Sequence, residues 1–177
     1  MADALYGIKL VRVAALGGSP SWEGISTPQQ ASLTYQLQAG QRVEIRGGDK
    51  LYSVVEDDDE LLGVDIAFTD AAMNGEAWAI IDGGSWDPTD KEYIPRAIGE
   101  ENPGFQCEIY QVRYSEGSQH QGSIAGYTKF VFPFCKGAVA SFAQQDRQFT
   151  TPQFTIKARD TTAARCYSWE NVATLPV

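Results

Sequence analysis

Along the chain, apolar and polar residues alternate in short runs, and almost everywhere the period is two. Ile8 and Leu10 alternate with Lys9, then Val11 and Val13 take the opposite phase, which predicts a first strand over 5–14, ended by Gly17, Gly18, Ser19 and Pro20. A polar connection over 21–30 carries Trp22 and Pro28. Leu33, Tyr35 and Leu37 then mark a second strand, and Leu62, Val64, Ile66 and Phe68 a strand with one buried face. The pattern returns at Phe105, Cys107 and Ile109, at Phe130, Phe132 and Phe134, and at Phe154, Ile156 and Ala158. A short run over 138–144, a turn at Asp146-Arg147 and a last run from Arg165 to Val172, with Tyr167 and Trp169, complete the series. Pro133 has no N–H to give to a ladder, so its expected place is a sheet edge or a strand end.

The period changes to helical spacing at Met73, Ala77, Ile80 and Ile81, which predicts a helix over 72–81. Asn74 or Asp70 is available to cap its start, and Gly83-Gly84 to end it. Two to three turns are too few for stability alone in water, so the helix must lie on the sheet, with Trp78 turned to the core. The segment from 85 to 103 has three prolines, mixed charge and no steady period, and reads as a long surface excursion.

Gly47-Gly48 is a hairpin signal, because a type I′ turn needs positive φ at both central residues. That turn sets Arg46 opposite Asp49. Val43, Ile45, Tyr52 and Val54 then share one face, and Arg42, Glu44, Arg46 and Ser53 the other. A three-residue loop would oppose Arg46 to Lys50, two like charges, which favours the shorter loop. Eight to ten short strands and one helix predict a mainly β fold: an antiparallel β-sandwich or barrel with one short flanking helix, built as a single domain over 1–177.

Seventeen glycines and eight prolines suit a turn-rich fold of this kind. Fourteen basic against 23 acidic side chains give a net charge of -9, which argues against gripping nucleic acid, since that requires cations to displace phosphate counterions. Cys107, Cys135 and Cys166 are odd in number and widely spaced, pointing to reduced thiols in a cytosolic setting rather than a disulfide or zinc framework. Neither an export signal nor a long apolar span is apparent, so no membrane association is expected.

Catalytic chemistry finds little support, and the expectation is a protein that is not an enzyme and holds no cofactor. His120 lies in a glycine and serine loop, without a nucleophile and an orienting carboxylate in any recognisable motif. The glycines at 17–18 and 47–48 read as turns, because neither stretch has the spacing of a phosphate loop. Glu56, Asp57, Asp58, Asp59 and Glu60 form the sharpest local feature. Calcium is one interpretation, but the EF-hand spacing is missing and consecutive strand residues point to alternate faces. A solvated turn is the plainer interpretation, and a third is a negative surface past which DNA slides without sticking. Among the tryptophans, Trp86 in its loop is the exposed candidate for stacking on a sugar.

The segment from Ile45 to Gly84, together with FPFCKG at 132–137, TTPQFTIKAR at 150–159 and CYSW at 166–169, resembles the major tail tube proteins of long-tailed bacteriophages. The likeness covers about two thirds of the chain and rests on the order of soft motifs. It implies a β-sandwich subunit that forms stacked, hexameric rings around a hollow tube, with strands of neighbouring subunits joined into an inner barrel. The implied partners are further copies of itself, the tape measure, tail terminator and distal tail proteins, and double-stranded DNA that passes through without specific binding. The implied location is the virion tail, with assembly in the host cytoplasm. Glu56, Asp57, Asp58, Asp59 and Glu60 become candidates to face the lumen. Arg46, Gly47, Gly48, Asp49 and Lys50 become candidates for contacts between rings, with the loops at 85–103 and 115–123. No C-terminal immunoglobulin-like domain, common in that family, is expected here. The alternatives are a secreted carbohydrate-binding β-sandwich, to which Trp86 and the acidic run would belong, and a tube subunit of a contractile injection system.

Overall fold

A computed structural model of the chain describes residues 4–17, 20–115, 124–138, 140–144, 146–161 and 164–176. His120 and most of the 115–123 loop lie outside the described residues. The fold is mainly β and antiparallel, with one short helix among the described residues. An eight-stranded sheet runs in the order β2 (Trp22–Ile25), β1 (Ala4–Ala15), β9 (Phe105–Tyr114), β10 (Ile124–Gly137), β11 (Gln153–Arg159), β6 (Glu60–Asp70) and β3 (Pro28–Gln38), and β12 (Ser168–Val172) pairs with β10. The sheet curls until β1 approaches β3 and encloses one core. Val11, Ile66, Phe132, Phe154 and Ile156 are buried inside it, each full burial contributing about 1.5–3 kcal/mol.

The phase flip in β1 has a structural cause. Tyr6, Ile8 and Leu10 pair with Val112, Gln111 and Tyr110, so Gly7 and Lys9 are each an extra residue and Gly7 takes φ +62. A similar bulge corrects the expectation for β6. Gln36 pairs with Gly63 but Leu37 with Leu61, which leaves Leu62 unpaired and 47% exposed while Val64, Ile66 and Phe68 stay inward.

Pro133 is neither at a sheet edge nor at a strand end. It lies within β10, a central strand, at a register shift between Phe132 and Cys135. On the other side of β10, β12 pairs with Tyr127–Val131 and β11 with Cys135–Gly137. The missing N–H is therefore tolerated where one neighbour ends and the other begins.

The helix α1 (Gly75–Asp82) starts three residues later than its periodicity suggests. Asn74 fixes the start by accepting from the N–H groups of Glu76 (3.1 Å) and Ala77 (3.2 Å). Asp70 does not cap it: its carboxylate accepts from Thr27 Oγ1 and the Ala71 N–H. Met73 precedes the helix and is exposed. Ala77, Trp78 and Ile81 supply the buried stripe, and Trp78 meets Phe154 edge-on at 5.7 Å. Gly83 (φ +81) ends the helix, and the buried Asn102 amide donates to the carbonyls of Ile81 and Asp82.

Two stretches expected to be irregular contain strands. β2 lies within 21–30, and a small hairpin of β7 (Ser85–Asp87) and β8 (Glu92–Ile94) occupies part of 85–103. Strands of three or four residues are too short to show a period. Conversely, the described residues of 138–144 form only an isolated bridge, Ser141 to Gln153.

Candidate functional site

A further hairpin, β4 (Arg42–Gly47) and β5 (Lys50–Glu56), continues from the end of β3 and leads into β6, and among the described residues its strands pair with each other alone. Its turn is Gly48-Asp49, not Gly47-Gly48. Gly47 pairs with Lys50, Arg46 with Leu51 rather than Asp49, and Ile45 with Ser53, so Tyr52 is an extra residue. Of the turn residues only Gly48 has positive φ (+65), the pattern of a II′ turn rather than I′. Arg42, Glu44 and Arg46 share one face as expected, and Glu44 bridges Arg42 (2.7 Å) and Arg46 (2.9 Å). The extra residue at Tyr52 reverses the phase of β5, however: Ser53 pairs with Ile45 and Val54 with Glu44, so these two exchange faces. The apolar face is Val43 and Ile45 with Val55, all more than half exposed. An isolated two-stranded hairpin is marginally stable in water, and this one shows an apolar surface with nothing laid over it.

The acidic residues stand at the root of the hairpin. Glu56 ends β5, Glu60 begins β6, and Asp57, Asp58 and Asp59 connect them, all exposed. The Asp57 N–H donates to the Gln41 carbonyl (3.0 Å), and the Gly40 N–H to Asp59 Oδ1 (2.9 Å). These bonds hold the run against 38–41 as a shallow acidic recess. Among the described residues no group of three or more His, Cys, Asp or Glu is placed to hold a metal.

Beside the same root opens a cleft of about 720 Å³. One wall is Glu60–Leu62; the other runs from Arg165 to Trp169 with Asp160. Tyr167 stacks on the buried Phe132 and meets the ring of Tyr35, with centroids 5.8 Å apart. Trp169 is 60% exposed. Trp86 is not the exposed tryptophan: it is half-buried and packs over Gly75, where a Cβ would overlap its ring. Alternation marks Trp169 as inward-facing. It pairs with the half-buried Phe130 and shares its face of the sheet, yet remains exposed at the cleft.

The outer face of β1, β9 and β10 carries a buried polar brace. Glu108 accepts from Arg12 Nε (2.5 Å) and the Tyr110 hydroxyl (2.7 Å), and lies 3.7 Å from Lys129, which also reaches Glu170. The Arg12 guanidinium lies over Trp22. Burial and the acceptor Glu108 push the Tyr110 hydroxyl pKa up. Each charge has a partner, so the network fastens strands together and leaves no nucleophile or poised base.

All three cysteines are free and buried. Burial pushes the Cys107 thiol well up and that of Cys135 to about 12; burial and then Asp160 raise Cys166. No helix among the described residues is long and apolar enough to cross a membrane. No protein-family model matches the chain, and no curated protein matches it.

Proposed function

We propose that this protein is a structural virion subunit that assembles into stacked, hexameric rings, forming the tube through which a phage genome is delivered. The observation that carries the proposal is the β4–β5 hairpin, a self-paired element with Val43, Ile45 and Val55 uncovered. Such a surface is stable and soluble when a second copy lies against it. The edges of the sheet support the same reading. β2 and β3 end the strand order, and neither is paired on its outer side among the described residues. Closure of a ring protects edges of this kind.

The charge agrees with a conduit. Duplex DNA carries one charge per about 1.7 Å, and a wall lined by Glu56–Glu60 on a chain of net charge -9 repels it enough to let it slide. The test is negative-stain electron microscopy with sedimentation velocity on dilute and concentrated samples of the purified protein. Rings or hollow tubes support the proposal. Compact monomers at every concentration overturn it.

A further inference from the structure

Among the described residues β12 is joined to the sheet along one edge. It pairs with β10, and its other edge faces the start of β6. β6 also lacks a neighbour there, because β11 ends where Arg159 meets Gly63. The cleft between them is thus flanked by two strand edges that have no partner among the described residues, and is walled by the exposed side chains of Leu62 and Trp169.

We propose that this cleft receives the β4–β5 hairpin of a neighbouring copy of the chain; the contact deepens the tube reading and rests on it only for the closed ring. Three features make the hairpin the occupant. The apolar face of Val43, Ile45 and Val55 suits the exposed Leu62 and Trp169 on the two walls, and an inserted strand gains backbone partners from the strand edges. The hairpin tip carries Arg46 and Lys50, and the cleft is lined by Glu60 and by Asp160, which also pairs with Arg165. Strands of six and seven residues, at about 3.3 Å each, reach about 20 Å beyond the barrel, more than the roughly 16 Å radius of gyration expected for such a chain.

Hairpin and cleft share the same end of the barrel, since both adjoin Glu60. The contact therefore joins lateral neighbours within a ring, in place of the stacking contact expected of residues 46–50. Tongue and slot are different surfaces, so the contact repeats from copy to copy until the ring closes.

The test mixes an Ile45→Cys variant with a Leu62→Cys variant and oxidises the mixture mildly, with Ile98→Cys replacing Leu62→Cys as a control at another exposed apolar site. The native thiols are buried, so the background is low. At least tenfold more mixed cross-linked dimer than in the control is expected. A Trp169→Glu variant should keep its thermal midpoint and associate at least tenfold more weakly. Cross-linking together with rings supports the contact and the tube. Cross-linked dimers that never form rings keep the contact and count against the tube. Rings or tubes without the cross-link overturn the contact and leave the tube standing, and the absence of both overturns the contact.

Discussion

Gly40 crosses Asp57 so closely that a Cβ built on the glycine overlaps the Asp57 carbonyl oxygen and stands 2.5 Å from its carbonyl carbon. The obstacle is backbone and cannot rotate away. Gly40→Ala is therefore expected to open the crossing and loosen the bonds from Asp57 to Gln41 and from Gly40 to Asp59, at about 1–3 kcal/mol of local stability. Amide chemical shifts should change over 38–60 and stay put in β9 and β10. A change spread through the barrel would refute this.

The two turn glycines are not equivalent. Gly48 has φ +65, whereas Gly47 is extended and a Cβ there meets only Tyr52 Cδ2, at 3.7 Å. Gly48→Val should cost about 1–2 kcal/mol in the hairpin and weaken self-association, while Gly47→Val leaves both close to wild type. Sedimentation velocity at matched concentrations separates the two variants, and equal behaviour would reject the II′ turn.

Arg12→Met leaves Glu108 with Tyr110 and a more distant Lys129, and is expected to cost about 3 kcal/mol. Adding Glu108→Leu removes the stranded charge and should recover most of that loss. Urea denaturation of the single and double variants checks this; a double variant no better than Arg12→Met would show that the brace acts through packing instead.

Glu23 gives a pH signature. Burial, followed by its hydrogen bond and repulsion with Glu76, raises its pKa above the ordinary 4.5. The folded state then holds this proton more tightly than the unfolded chain. Its contribution to stability is full below pH 4.5 and is lost as pH rises through the raised folded value. Relative to Glu23→Gln, wild type should lose about 0.5 kcal/mol or less across that window, a small effect because the site is partly solvated. Denaturation midpoints that stay parallel from pH 4 to about pH 7 would contradict it.

The thiols should be silent in the folded protein. Burial raises all three pKa values, so the reactive thiolate is scarce and shielded at about pH 8. Alkylation is expected to be slow until denaturant exposes all three, and fast labelling of Cys107 or Cys135 under native conditions would disprove their burial.

Most of the barrel was legible because its strands bury one face for seven residues or more, as β11 does with Phe154, Ile156 and Ala158. Bulges were harder. The flip between Leu10 and Val11 is visible in the pattern, but Leu62 keeps the phase of Val64 and only its pairing shows it turned outward. Pro133 misleads for a similar reason, because local chemistry states that it cannot donate and leaves open where the neighbouring strands end. In the candidate site, the hairpin and the acidic run were readable from glycines and charge. The cleft was not, since it exists only where β11 stops and β12 begins, residues distant in sequence from Leu62.

The self-paired hairpin also sets a timescale. With no third strand against β4 or β5 among the described residues, their amides are expected to open independently of the barrel at a free energy close to zero, and those of β9 and β10 to exchange with solvent on global unfolding. The isolated subunit should thus carry a segment that trades hydrogen for deuterium far faster than the core beside it. The moment at which that fast segment becomes slow would mark, residue by residue, the arrival of a partner.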